Sequence, residues 1–159
     1  MITVLALAVM AMVAAFGLRK DPIADTGLPV EMVNSDNQPV ALADLRGKVL
    51  FVNNWASWCP PCIAEMPSIQ ELKRKLKDVD VEFVMVSFDQ DREKAMKFIS
   101  KRKLDFDVYF PGQKYPFVTS SIPATFIVDK SGKVVFEHVG MADYSSDEIA
   151  NQLKDLANE

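Results

Sequence analysis

The sequence has few of the residues that mark several large functional classes. Its 159 residues include two cysteines, both in one C-x-x-C, and one histidine. These numbers leave no cysteines for a disulfide scaffold and exclude a histidine-rich metal site. There is no excess of basic residues, because 18 Lys and Arg stand against 22 Asp and Glu, a formal charge of −4. The chain therefore lacks the charge signature of a nucleic-acid-binding protein.

Repeats and low-complexity stretches are also absent, and the composition is that of a folded domain. Apolar residues make up 49% of the chain and charged residues 25%. At 159 residues this composition is typical of one globular domain rather than two.

Apolar residues are concentrated at the amino terminus. The segment Ile2–Leu18 has 17 residues without a charge, and Arg19 and Lys20 end it. A helix of this length spans about 25 Å, slightly less than the roughly 30 Å hydrocarbon core of a bilayer. Residues 1–20 are therefore predicted to be a signal peptide or an uncleaved signal anchor. No basic residue precedes the run and two follow it, so the topology evidence is mixed and both alternatives stay open. A buried core helix is less favoured, because no polar side chain marks a solvent-facing side.

Beyond this run, the chain divides into a linker and an α/β domain. Residues 21–27 are the predicted linker, and residues 28–159 form the predicted domain. Short uninterrupted runs of β-branched and aromatic residues predict strands that are buried on both faces. The predicted strands are a hairpin around residues 34–39 and the segments 48–55, 81–88, 108–110, 125–129 and 133–139.

Helical periodicity predicts three helices between these strands. They begin at Cys62, at Asp89 or Asp91, and at Ser145, where Ser145 and Glu148 would form a capping box. Strands that alternate with helices predict a central mixed sheet flanked by helices on both faces, with an added amino-terminal hairpin.

The chemistry is concentrated in residues 55–62, WASWCPPC. Cys59 is expected at a helix N-terminus, where unpaired N–H groups and the helix dipole lower a thiol pKa and make the sulfur a nucleophile. Cys62, one turn further along, should be more buried. An exposed thiolate followed by a buried resolving thiol is the arrangement that disulfide exchange needs. Trp58, beside the nucleophile, is predicted to face the substrate, and Trp55 to lie in the core.

Other uses of a C-x-x-C fit less well. If the two cysteines were two ligands of a zinc site, His138 and carboxylates would have to supply the others. A c-type haem attachment would need a histidine where Ile63 stands. The cysteine pair can carry redox chemistry by itself. No metal and no dissociable cofactor are therefore expected.

Several motifs together resemble a known family. They are residues 42–48 (LADLRGK), 55–62 (WASWCPPC), 65–67 (EMP), 122–129 (IPATFIVD) and 139–140 (VG). From residue 28 onward the chain resembles the thioredoxin superfamily, and within it the TlpA/ResA-like branch of exported thiol-disulfide oxidoreductases. The resemblance implies a thioredoxin fold with a redox-active disulfide between Cys59 and Cys62. It also implies that Pro123 is a cis-proline facing this disulfide, and that Ile122 and Thr125 present backbone that pairs with an extended substrate.

The resemblance also draws attention to acids and amides near the site. Thioredoxin has a buried aspartate at the position of Asn53, which assists proton transfer to the resolving cysteine, whereas this branch commonly has Asn there. Asp89 and Glu65 are the candidate replacements for that proton relay. On the residues alone, a helix cap is favoured for Asp89 and a solvated helix position for Glu65. Asn54 stands where an aromatic residue is usual, which the sequence does not explain.

The resemblance implies a thiol-disulfide oxidoreductase in which Cys59 attacks and Cys62 resolves. Net reduction of exported protein cysteines, for instance those of apocytochrome c, would draw electrons from a membrane thiol-disulfide carrier. The implied location is periplasmic or otherwise extracytoplasmic, with residues 2–18 as a membrane tether. Two alternatives are a thiol peroxidase of related fold, which would need a threonine where Ala56 stands, and a non-catalytic binding module.

Overall fold

The computed structural model describes residues 31–159. The predicted leader, the linker and the predicted start of the domain at residue 28 lie outside the described residues. Across residues 31–159, no helix is long and apolar enough to span a bilayer. The strands are β1 (Met32–Asn34), β2 (Pro39–Val40), β3 (Val49–Trp55), β4 (Val81–Ser87), β5 (Val108–Pro111), β6 (Ala124–Val128) and β7 (Val134–Val139). The helices are a 3₁₀ helix (Leu42–Leu45), α1 (Pro60–Lys75), α2 (Arg92–Arg102) and α3 (Asp147–Asn158).

The strands form one mixed sheet, as predicted. Their spatial order is β2-β1-β5-β4-β3-β6-β7. The pairs β3–β4 and β4–β5 are parallel and the remaining pairs are antiparallel. All seven residues of the central strand β3 are buried, because the run has neighbours on both edges and both faces. The predicted hairpin is present as β1 and β2.

The two faces of the sheet are covered differently. Phe51 and Trp55 of β3 pack in a core with residues from all three α-helices, among them Met66, Ile99 and Leu153. The opposite core contains alternate residues of the same strands together with Leu42, Tyr115 and Phe117. This second face is therefore covered by the 3₁₀ helix and the irregular segment 112–121 rather than by a further α-helix.

The structure decides between the two caps predicted for α2 and corrects the cap predicted for α3. Asp91 caps α2, because its carboxylate accepts from Glu93 N at 3.0 Å, so Asp89 is not the cap. Ser146 rather than Ser145 caps α3, accepting from Ile149 N at 3.3 Å. The adjacent Ser145 lies one residue too early to be the N-cap and its hydroxyl donates to Asp143, so the predicted Ser145–Glu148 capping box is wrong.

Candidate active site

The cysteine pair lies where β3 passes into α1. Cys59 is the N-cap residue of α1, and Pro60 and Pro61 occupy its first turn, where a backbone N–H has no helical partner to lose. A disulfide joins Cys59 to Cys62. The Cys62 N–H donates to Cys59 Sγ at 3.3 Å, as expected for a sulfur at a helix N-terminus. The same N–H can stabilise a Cys59 thiolate when the disulfide is reduced.

The two cysteines are less exposed than the sequence suggested. Cys62 is fully buried and, as predicted, it is more buried than Cys59. Cys59 is itself only 4% exposed, whereas the sequence predicted an exposed sulfur. Backbone approaches Cys59 closely, because the carbonyl oxygen of Ile122 lies 3.8 Å from Cys59 Sγ. A disulfide sulfur carries no proton, so this approach is a contact rather than a hydrogen bond. The neighbouring Trp58 is 64% exposed.

The segment opposite the disulfide has the backbone geometry that the resemblance implied. The Ile122–Pro123 peptide bond is cis. The carbonyl of Pro123 accepts from Gly140 N at 2.9 Å, which ties this segment to the end of β7. Strand β6 follows at Ala124 and pairs antiparallel with β3, so Pro123 is held beside the strand that leads into Cys59.

Glu65 is buried rather than solvated, which corrects the sequence interpretation. It is 2% exposed, and its carboxylate accepts from Asn53 Nδ2 at 2.8 Å and from Ala142 N at 3.2 Å. Burial raises the pKa of Glu65 to about 7, and the bonds from Asn53 and Ala142 oppose the rise. The sequence did carry a signal, because Glu65 lies on the same helical stripe as Cys62 and Ile69, three residues after one and four before the other.

Glu65 lies between the amide of Asn53 and a cleft beside α1. Asn53 also donates to Thr125 Oγ1 at 3.0 Å, so its amide links Glu65 to β6. A cleft of about 500 Å³, lined by Glu65, Pro67 and Met141, opens beside α1. A buried carboxyl group that lines such a cleft can exchange its proton with solvent.

Asp89 is attached to the loop that leads into Cys59. Its carboxylate accepts from Ser57 N at 2.8 Å, Ser57 Oγ at 2.7 Å and Ser87 Oγ at 2.8 Å. Ser57 precedes Cys59 by two residues, so Asp89 ties the end of β4 to the active-site loop.

Sequence reasoning missed the partners of Asn54. Its side chain points to the opposite face from that of Asn53 and is fully buried. Asn54 Nδ2 donates to Phe117 O at 2.6 Å, and Tyr115 Oη donates to Asn54 Oδ1 at 2.5 Å. The presence of a polar residue in an apolar strand was the available sequence signal.

His138 lies on the edge strand β7, and its ring stacks on that of Phe136 with 6.5 Å between the ring centroids.

Comparisons with known proteins agree with this geometry. The Redoxin family model matches residues 19–153. The thiol-disulfide oxidoreductase ResA of Bacillus anthracis is 32% identical over 124 residues, covering 76% of this chain and 70% of that protein. The ResA of Oceanobacillus iheyensis is 33% identical over 125 residues, covering 77% of this chain and 64% of that protein.

Solved structures give the same fold. A protein of Chlorobium tepidum named as a thiol:disulfide interchange protein DsbE superposes with a TM-score of 0.70 at 28% identity, covering 84% of this chain and 96% of its own. A thioredoxin-like protein of Porphyromonas gingivalis gives 0.64 at 28% identity, covering 82% of this chain and 90% of its own.

Proposed function

The chain belongs to the Redoxin family, as a ResA-like thiol-disulfide oxidoreductase, and from this premise we propose that it reduces disulfides in exported proteins. One observation carries the proposal: a disulfide joins the N-cap residue of α1 to a fully buried cysteine in the first turn. That arrangement supplies an activated sulfur and a resolving thiol in one turn of helix.

The two cysteines have different roles in the proposed reaction. The Cys59 thiolate attacks one sulfur of a substrate disulfide, which forms a mixed disulfide and releases the other substrate sulfur as a thiolate. Cys62 then attacks Cys59 Sγ, which closes the Cys59–Cys62 disulfide and releases the second substrate thiol. The substrate gains two electrons and the cysteine pair loses two. Trp58, Ile122 and Pro123 hold the substrate during the first step.

Glu65 is the proposed proton acceptor for Cys62. It lies less than one helical turn after Cys62, and a pKa of about 7 leaves it partly ionised near neutral pH. A group with a pKa near the working pH is the most effective general base. Asp89 has the weaker case for this role, because its carboxylate is engaged by Ser57 and Ser87.

The electrostatics of the site support the reducing direction. Residues 49–72 contain no Lys, Arg or His, and the nearest charged group to the cysteines in sequence is the carboxyl of Glu65. A thiolate without a basic residue nearby in the chain lacks one common source of stabilisation, and weak stabilisation of the reduced form favours a reductant. A membrane thiol-disulfide carrier is the proposed electron donor, and apocytochrome c cysteines are proposed substrates.

Export is proposed from the apolar run 2–18, as a signal peptide or as a membrane tether. In that setting the disulfides available for reduction are those of secreted and periplasmic proteins.

Trapping tests the function and the location together. Cys62→Ala removes the resolving thiol, so we expect exported proteins to remain attached to Cys59 as mixed disulfides in the native host. Cys59→Ala is the matched control and should retain none. Recovery of cytosolic proteins alone would contradict export, and equal recovery by both variants would contradict the assignment of Cys59 as nucleophile.

A further inference from the structure

A buried polar clamp holds the segment that leads to the active-site proline. Asn54 donates to the backbone of Phe117 and accepts from the hydroxyl of Tyr115. Burial raises the pKa of Tyr115 well above its ordinary value, so the hydroxyl stays protonated and remains a donor. Two good hydrogen bonds in an apolar core are costly to break, because either partner would be left buried and unsatisfied. The clamp therefore fixes the position of residues 115–117.

This clamp sets where Val118 lies. Val118 follows the clamped residue Phe117 directly and is 69% exposed, although it is apolar. It lies four positions before Ile122, so its Cα is at most about 14 Å from the Cα of the residue whose carbonyl contacts Cys59. The segment 112–121, here called the recognition segment, thus presents an exposed apolar side chain a short length of chain before the residue that contacts Cys59.

Two further exposed apolar residues lie at the same end of the molecule. Trp58 adjoins Cys59, and Met141, which is 58% exposed, adjoins Gly140, whose N–H binds the carbonyl of Pro123. Exposed apolar side chains gathered around a reactive group are typical of a protein-binding surface. Trp58 and Met141 are exposed apolar side chains next to Cys59 and to the residue that binds Pro123, and Val118 is a third, four positions before Ile122.

We propose that the recognition segment selects polypeptide disulfides whose cysteine is flanked by apolar residues, with Val118 as a specificity-determining contact and Asn54 as a positioning residue that acts through the segment. This proposal rests on the proposed thiol-disulfide exchange and names its substrate class. Asn54 and Asn53 then have separate tasks on one strand. Asn53 binds the acid on the helical face, and Asn54 holds the substrate-binding segment on the other.

Two peptides test the proposal. Each carries one cysteine as a mixed disulfide with thionitrobenzoate, flanked by leucine and valine in one peptide and by serine and asparagine in the other. The fully reduced protein reacts in a single turnover, in which its cysteine pair is oxidised and the peptide and thionitrobenzoate are released as thiols. Each rate constant is divided by that for the symmetrical dithiobis(nitrobenzoate), which has no polypeptide to contact the segment.

We expect the unaltered protein to prefer the apolar peptide, and Val118→Ser to reduce that preference about fivefold. Val135→Ser is the matched control, because Val135 is also an exposed valine but lies on the edge strand β7. It should leave the preference unchanged. Equal reaction with both peptides by the unaltered protein, or an equal effect of the two valine variants, would overturn the proposal.

The clamp is tested by its coupling to Val118. Asn54→Leu leaves the Tyr115 hydroxyl without its partner, so the preference should fall and Val118→Ser should have little further effect in that background. Tyr115→Phe is a milder change that keeps the bond to Phe117, and a partial loss of preference is expected. Additive effects of Asn54 and Val118 would contradict the positioning role. Failure of the unaltered protein to react with dithiobis(nitrobenzoate) would instead contradict the proposed function itself.

Discussion

At the scale of single residues, Glu65 shows how burial changes the chemistry of an ordinary side chain. A carboxyl group on the exposed side of a helix would be ionised at neutral pH. Glu65 instead lies on the buried side of α1, against Asn53 and the backbone of Ala142. Desolvation disfavours its charged form more than those two bonds favour it, so the pKa rises to about 7. The same burial that costs stability makes the group suitable for proton transfer to and from a thiol.

This pKa predicts a pH dependence of stability. The folded state holds the proton of Glu65 more tightly than the unfolded state, in which the pKa is 4.5. The stability contributed by this proton is complete below pH 4.5 and is lost as the pH rises through 7. The loss is on the order of 3 kcal/mol. Urea unfolding of the oxidised protein should show this decline, and Glu65→Gln should remove it.

A nearby carboxylate provides the control for that measurement. Glu71 lies on the same helix but pairs with Arg74 at the surface. Glu71→Gln should therefore leave the decline between pH 4.5 and 7 in place. Parallel pH profiles for the unaltered protein and Glu65→Gln would show that Glu65 does not carry the linked proton.

At the scale of elements, the junction between β3 and α1 depends on an anchor from the neighbouring strand. Asp89 follows β4, and its carboxylate binds both the backbone and the side chain of Ser57. The loop between Trp55 and Cys59 is thereby tied down at its centre. Asp91, two residues further on, has the different task of capping α2.

These two aspartates predict different outcomes on substitution by alanine. Asp91→Ala should lower the free energy of unfolding by about 1 kcal/mol and leave disulfide exchange unchanged, because only a helix cap is lost. Asp89→Ala should lower it by about 2 kcal/mol and slow exchange about tenfold, because Cys59 loses the anchor of its loop. Urea unfolding and single-turnover exchange measure the two effects. Equal exchange rates in the two variants would contradict the anchoring role of Asp89.

At the scale of the whole molecule, the direction of exchange depends on which redox state the fold stabilises. The Cys62 N–H, which donates to Cys59 Sγ in the disulfide, can also stabilise a Cys59 thiolate in the reduced protein. In a reductant the folded protein favours the disulfide, and in a strong oxidant it favours the dithiol.

We expect a reduction potential in the thioredoxin region, about −270 mV. The oxidised protein should correspondingly resist urea better than the reduced protein. Equilibration with dithiothreitol or glutathione buffers measures the potential, and unfolding of both redox states provides an independent check. A potential near −120 mV, together with a more stable reduced state, would contradict the reducing role.

The strands, the helices and the reactive cysteine could be predicted because each depends on local pattern. The buried run of β3 and the position of Cys59 at the start of α1 follow from neighbouring residues in the chain. The position of Glu65 was open to prediction from its helical stripe, but its raised pKa comes from burial in the folded protein, which the hydrogen bonds from Asn53 and Ala142 only partly oppose. The cap of α3 was misplaced by one residue because two adjacent serines compete for it.

Local patterns in the chain were enough to predict an α/β domain with a cysteine pair at a strand-to-helix junction, since periodicity and spacing act over a few residues. The contacts of the polar residues of β3, in contrast, are set by the three-dimensional fold. Asn54 meets Tyr115 across 61 residues of chain, and Asn53 meets Thr125 across 72. Such contacts depend on how the strands pair and on which face each side chain occupies, and no local pattern encodes either.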